Sequence, residues 1–212
     1  MATVPGGRNS ISPPAASRKT LCVNIIMNLQ EKLAGYVLGN LTSRSFPEIA
    51  ITAINQGHDT ESLWILVGMS NKDNSHDYIR YFELSLQELG ITLPDKLKSA
   101  KILLSYYLGQ MISLPERAFE LMYLIDNEIY EQVDWMQELR LSEKKYVGKE
   151  LGIEKMFTWY RELQDYEDNG MLLYYNELPR KKQKEKFEQE LVEEAKELKS
   201  KIDKELSTHN NV

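Results

Sequence analysis

Apolar residues recur at intervals of three and four positions along nearly the whole chain, and no convincing run of period-two alternation interrupts them. This spacing places apolar side chains on one face of a helix. It predicts an all-α fold, a single globular helical domain of six to eight helices with a long charged C-terminal helix. The first helix is expected over about residues 19–42.

Local signals predict the next three helices. PEIAITAINQ should form a helix that ends at Gly57, because glycine is the residue best suited to a left-handed C-cap. The helix of TESLWILVGM should start after Asp59 or Thr60, either of which can accept a bond from a free N–H, and should belong in a core. A fourth helix is expected over about 75–89, ending at Gly90, with one apolar stripe of Ile79, Phe82, Leu86 and Leu89.

Two segments repeat one pattern of a hydroxyl residue, leucine, proline, an acid and a base: TLPDK at 92–96 and SLPER at 113–117. Each predicts a helix start with Thr92 or Ser113 as N-cap and the proline inside the first turn. The two following helices have the clearest apolar stripes, which are Leu97, Ala100, Leu104, Tyr107, Leu108 and Met111 in one and Ala118, Met122, Ile125 and Ile129 in the other.

The remaining chain predicts a further helix or two over 142–168 and a last helix over about 177–206. The last helix carries Phe187, Leu191, Ala195, Leu198, Ile202 and Leu206 on one side. It is charged elsewhere, so it either packs by a narrow seam or projects from the body. Residues 1–17 are expected to be disordered or derived from a cloning linker, residues 18–172 to form the helical domain, and residues 173–212 to form the last helix and a frayed tail.

Composition narrows the class of protein. The chain has 212 residues, of which 42% are hydrophobic and 27% charged, as is ordinary for a soluble globular protein. A net charge of -6 gives the whole chain no electrostatic footprint for nucleic acid or anionic lipid. The apolar runs are too short for a membrane helix. The single cysteine, Cys22, rules out an internal disulfide and suits a cytoplasmic setting.

Two His-Asp pairs lie within GHDTESLWILVGMSNKDNSHDY, residues 57–78, and suggest a metal-dependent phosphohydrolase of the His-Asp type. Its ligands would come from His58, His76, Asp77 and Asp126. However, Asp59 and Asp77 each stand where a helix N-terminus favours a carboxylate. Capping accounts for both acids, so we assign no catalytic, cofactor or metal residue and expect no cofactor.

Charged clusters raise two binding hypotheses. Spacings of three, three and four predict a common, solvated helix face for Glu128, Glu131, Asp134 and Glu138. A basic cluster opens the last helix, where positive charge opposes the helix dipole. Its members are candidates for phosphate binding: Arg180, Lys181, Lys182 and Lys184, with Lys186 close by. The segment 177–206 carries as many acids as bases, which favours a solvated helix and argues against nucleic acid.

The stretch AITAINQGHDTESLWILVGMS resembles a pattern in small all-helical bacterial proteins of uncharacterised function. The resemblance covers residues 48–70 and 116–130, and its first part depends on Gly57, His58, Asp59, Thr60, Leu63, Leu66 and Gly68. It implies an all-helical fold in a bacterial cytoplasm and brings no activity with it.

The sequence also lacks the motifs of nucleotide-binding loops, nucleophile elbows and zinc proteases. Aromatic residues exceed what a small core demands, and such rings favour interfaces. We therefore expect a non-catalytic protein-binding module with an immunity, antitoxin-like or adaptor role, bound to an unknown protein partner or to itself. The candidate partner-binding residues are Glu131, Asp134, Trp135, Glu138, Trp159 and Tyr160.

Overall fold

A computed structural model of the chain describes residues 27–70, 72–138, 140 and 151–208. These residues form nine α-helices in one compact domain without a strand, which confirms the predicted fold class. The helices are α1 Leu29–Val37, α2 Phe46–Asn55, α3 Glu61–Gly68, α4 Ser75–Leu89, α5 Lys96–Ser113, α6 Ala118–Ile125, α7 Trp135–Glu138, α8 Glu154–Glu167 and α9 Arg180–Thr208.

Several predictions lie outside the described residues: those for residues 1–17, for Cys22, for the first helix before 27, for 142–150 and for the end of the tail. Within the described part, α1 starts at Leu29 because Asn28 forms a capping box with Glu31. It ends at Val37, five residues earlier than predicted, and Gly39 follows in the left-handed region.

The core has two parts. The N-terminal cluster joins residues of α1 to α4, and in it the rings of Phe46 and Phe82 stack at 3.9 Å while Tyr36 meets both edge-on. The larger bundle core joins α5, α6, α8 and α9. Helix α1 belongs to both, because Leu29 and Leu33 face the N-terminal cluster while Ala34 and Leu38 face the bundle core.

Helix α9 docks along α5 and α8. Its buried side chains follow one stripe, Phe187, Leu191, Ala195, Leu198 and Ile202, and Leu206 packs against the same core. This settles the open alternative of the sequence analysis, since the last helix packs through its apolar seam. It is therefore part of the domain.

The repeated pattern at 92–96 and 113–117 does not give two matching helix starts. Asp95 is the N-cap of α5 and accepts a bond from the N–H of Lys98 at 2.7 Å, so Pro94 lies before the helix. Ser113 is the last residue of α5, and Pro115 opens a 3₁₀ turn that leads into α6. The predicted caps Thr92 and Ser113 are wrong because the carboxylate of Asp95 caps one helix and the preceding helix continues through Ser113.

The glycine signals are confirmed. Gly57 has a φ of 87° and closes α2 in a Schellman motif, in which His58 N–H binds the Ala53 carbonyl and Gly57 N–H binds the Ile54 carbonyl. Gly90 closes α4 in the same way with a φ of 64°. At the start of α3, the cap is Thr60, whose side chain accepts from the N–H of Leu63.

Two apolar side chains lie outside the core, where the pattern had placed them inside. Ile79 of the predicted α4 stripe is exposed, because the buried residues of this helix are Tyr78, Phe82 and Ser85. Helix α3 buries Leu63 and Leu66, but the Trp64 side chain is 55% exposed. Both helices cover the core with one side only.

Gly57→Ala is expected to lower the free energy of unfolding by about 1 kcal/mol, because alanine is strained in the left-handed region although its Cβ would meet nothing within 4 Å. Gly68→Ala is the matched control, since its Cβ also enters open space and the backbone is helical. It should raise that free energy by about 0.5 kcal/mol. Urea unfolding followed by circular dichroism measures both, and equal effects would contradict the assignment of strain to Gly57.

Candidate functional site

The two His-Asp pairs lie at separate helix starts. His58 follows the Gly57 turn, and His76 is the exposed second residue of α4, with its N–H bound to the side chain of Asn74. Asp59 accepts from the indole N–H of Trp64 at 2.7 Å, and Asp77 lies in the first turn of α4. In the described part of the chain, no three His, Cys, Asp or Glu side chains are grouped so that they could hold a metal ion.

The predicted acidic helix face is wrong. Glu128 lies in a π-helical turn, Asp126–Tyr130, and accepts a hydrogen bond from the hydroxyl of Tyr107. A turn then separates it from α7, where Glu138 lies 3.9 Å from Lys96. The helix breaks between these acids, so they cannot share one face. Burial, and to a lesser extent the negative charge of Glu131, raises the pKa of the nearby Asp126 carboxyl.

The basic cluster at the start of α9 binds the end of α8. Arg180 donates to the carbonyls of Asp165, Tyr166 and Gly170 at 3.1 to 3.3 Å, and its guanidinium lies over the ring of Tyr166. A cation at the C-terminal end of a helix is favourable, because the free carbonyls there carry partial negative charge. The cluster that opposes the dipole of α9 therefore complements the dipole of α8.

Its other members form ion pairs within the chain. Lys184 contacts Glu167 at 2.7 Å, and Lys182 contacts Glu185 at 2.6 Å. Because three of the four candidate phosphate ligands have intramolecular partners, the structure gives phosphate binding no support beyond the charge itself.

Two of the proposed partner-binding aromatics belong to the core. Trp135 is buried and donates its indole N–H to the Tyr130 carbonyl at 2.8 Å, and Tyr160 is buried in the bundle core. Burial also raises the pKa of Tyr160 to about 12. Trp159 is half-buried, and its ring lies 5.2 Å from that of Tyr174. Of these three aromatic side chains, only Trp159 is partly exposed.

The connection between α8 and α9, residues 169–179, carries three of the six large apolar side chains that are exposed in the described part of the chain. We name it the α8–α9 loop. Met171 is 79% exposed, Leu173 61% and Tyr174 43%, while Leu172 between them is buried. Exposed apolar side chains that lie close together are candidates for an interaction surface, because contact with water costs them free energy. Sequence analysis missed Met171 and Leu173, since they follow a helix end without periodicity.

Buried polar side chains fix the backbone of this loop. Glu162 of α8 accepts from the N–H of Leu173 at 2.9 Å, and Gln183 of α9 donates to the carbonyl of Tyr174 at 3.0 Å. Both side chains are buried. Buried polar groups need partners, and here the partners are the main-chain groups beside the exposed side chains. The flanking helices therefore anchor the loop at Leu173 and Tyr174.

Tyr175 adopts a left-handed conformation with a φ of 57°, which is unfavourable for a bulky residue. Its hydroxyl donates to Glu190 at 2.9 Å, and its ring lies 5.9 Å from the ring of Phe187. These contacts compensate for the strain. They hold Tyr175 against α9, next to the exposed side chains of Leu173 and Tyr174.

A serine and a lysine meet between α5 and α9. Lys199 donates to the Ser105 hydroxyl at 2.9 Å and to Asp203 at 2.8 Å, and Ser105 donates to Asp203. Burial opposes ionisation of Asp203, but the hydrogen bonds from Lys199 and Ser105 outweigh it and lower the pKa of this carboxyl. These hydrogen bonds tie α5 and α9 together.

No protein family model, no curated protein and no solved structure matches the chain. Within the described ranges, none of the helices combines the length and the apolarity that crossing a bilayer requires.

Arg180→Gln should lower the free energy of unfolding by about 1 kcal/mol, because two carbonyls at the end of α8 and that of Gly170 lose a charged donor at a partly solvated site. Lys181→Gln is the control and should change it by less than about 0.5 kcal/mol. Guanidinium unfolding measures both. Equal values would show that the cluster does not stabilise the junction of α8 and α9.

Proposed function

We propose that the chain is a non-catalytic protein-binding module and that the α8–α9 loop is its contact surface. The observation that carries this proposal is the combination of three exposed apolar side chains with a backbone fixed by buried Glu162 and Gln183. An unconstrained loop would have to be ordered on binding, which lowers affinity. A fixed loop loses little entropy when a partner covers it.

The composition of the loop suits an interface. Leu173 and Met171 supply flexible apolar surface, and Tyr174 supplies a ring with a polar end, packed edge-on against Trp159. Large aromatic side chains dominate binding energy where they fill a pocket of the partner. Of the partner-binding residues proposed from sequence, Trp159 supports this surface from beneath.

Charge indicates the partner's chemistry. Asp168 lies just before the loop and Glu177 within it, and both acids are exposed. Glu162 is buried and Glu167 is paired with Lys184, while the adjoining base Arg180 is engaged by main-chain carbonyls. A complementary protein would offer an apolar groove with lysine or arginine at its rim. We propose that this interaction takes place in a bacterial cytoplasm and serves an immunity, antitoxin-like or adaptor role. An adjacent gene for a basic toxin would favour the immunity or antitoxin-like role.

Site-specific cross-linking tests the proposal. A benzophenone amino acid placed at position 173, in cells that express the full chain, should give one discrete adduct of higher mass. The same amino acid at position 201, on the exposed side of α9, should not give it. An adduct of twice the mass of the chain would identify the partner as a second copy.

The charge contribution is tested in the same cells. Asp168→Lys together with Glu177→Lys should reduce the yield of the adduct about threefold or more, because the basic rim of the partner would face like charge. A control pair of reversals on the far part of α9, Glu193→Lys and Glu197→Lys, should leave the yield unchanged. Equal cross-linking at 173 and 201, or equal loss in both charge variants, would refute the α8–α9 loop as the contact surface.

A further inference from the structure

A cavity of about 470 Å³ lies where the N-terminal cluster meets the bundle core. Its apolar wall is formed by Met27, Leu41, Leu121 and Leu124, and its polar groups come from Lys32, Glu48, Tyr106, Tyr107, Gln110 and Arg117. Small-molecule sites typically have this size, occur where two packing units meet, and combine an apolar lining with a few polar groups. The cavity is separate from the α8–α9 loop.

Lys32 is a buried cation in this cavity. Its ammonium pairs with the carboxylate of Glu48, whose side chain is 73% exposed. An ammonium has three N–H donors, and a buried charge is costly unless its donors have acceptors. One exposed carboxylate leaves two of these donors for another acceptor. Lys32 is therefore placed to hold an anion that enters the cavity.

Arg117 adds a second cation. Its Nε and Nη2 bind the carboxylate of Glu120 at 2.9 and 2.7 Å, which fixes the plane of the guanidinium. Nη1 carries further donors on the other edge of the same plane. A guanidinium held in this way suits planar oxyanions, because it presents donors in a fixed geometry.

Tyr106 provides a phenol that stays protonated. Burial raises the pKa of Tyr106 to about 12, and the charges of Glu31 and Glu128 act in the same direction while Arg117 opposes them. The nearby carboxylate of Glu128 is engaged by the hydroxyl of Tyr107. The residues that line the cavity include two cations and one acid, Glu48. Each cation already has one carboxylate partner, Glu48 for Lys32 and Glu120 for Arg117, so a ligand would bind through the remaining donors.

We propose that this cavity binds a small amphipathic anion, a carboxylate or phosphate monoester with a short apolar tail. The headgroup would accept from Lys32 and Arg117, and the tail would pack on Leu41, Leu121 and Leu124. The carboxylate of Glu48 offsets the positive charge of the same ammonium and repels an anionic headgroup bound to its other donors. Removing its charge therefore strengthens binding, a change in the opposite direction from the loss of either cation.

Calorimetric titration of the full chain with octanoate and with octyl phosphate, each below its micelle concentration, tests the class of ligand. Octanol and octylammonium are controls with the same tail. One of the two anions should bind saturably with one site per chain, about tenfold or more tighter than octanol, because charged hydrogen bonds distinguish them. The tighter of the two identifies the headgroup. Equal binding of octanol, or saturable binding of octylammonium, would overturn the proposal.

Variants test the residues. Glu48→Gln should tighten binding of the preferred anion severalfold, and Arg117→Gln should weaken it about tenfold. Lys32→Met should also weaken it, while Lys201→Gln on exposed α9 should bind as the unaltered chain does. If Lys32→Met does not fold, the opposite effects of Glu48→Gln and Arg117→Gln still decide the question. Unchanged affinity in both of these would show that the anion does not use this cavity.

Discussion

The fold depends on the burial of α5 among its neighbours. Helices α1, α6 and α9 all pack on it, and apolar residues on most of its circumference lie in the bundle core. A helix that is buried on several sides contributes a large apolar area to the core, and the burial of this area favours assembly. Residues of α1 lie in both clusters, so this helix joins the two parts of the core. Asn40, just after it, adds a hydrogen bond to the Glu128 carbonyl at 2.9 Å.

Electrostatic contacts then set how α8 and α9 join. Arg180 neutralises the carbonyl end of α8, and Lys184 pairs with Glu167 of the same helix end. These are partly solvated interactions of modest energy. Their effect is on geometry, since they fix where α9 begins and thereby the span that residues 169–179 must cover. The exposed apolar side chains of that connection depend on this spacing.

Chemistry confined to one turn was predictable from sequence, and contacts between distant segments were not. Gly57 and Gly90 end their helices as expected, because the left-handed region favours glycine whatever surrounds it. Ile79 is exposed although it belongs to the apolar stripe of α4. Its burial depends on which helices pack against α4, and the spacing of apolar residues does not reveal that. Thr92 was predicted as a cap from its place in the repeated pattern, but Asp95, three residues later, caps α5.

The site was harder to predict than the fold, for the same reason. The contact between Ser105 and Lys199 spans 94 positions, and that between Glu162 and the Leu173 N–H spans 11 with a helix end between them. Trp135 and Tyr160 were proposed as surface residues on aromatic content alone, which cannot separate a core ring from an exposed one. Of these three aromatic candidates for partner binding, Trp159 is the one whose ring packs against the exposed Tyr174 of the loop.

The attachment of residues 169–179 to both flanking helices links recognition to folding. Glu162 and Gln183 hold main-chain groups of the loop from opposite sides, so separating α8 from α9 would also dissolve the recognition surface. By mass action, any protein that binds only the intact surface must raise the resistance of this helix pair to local opening. Binding of such a partner would then be detectable far from the contact, as slower amide hydrogen exchange along both α8 and α9.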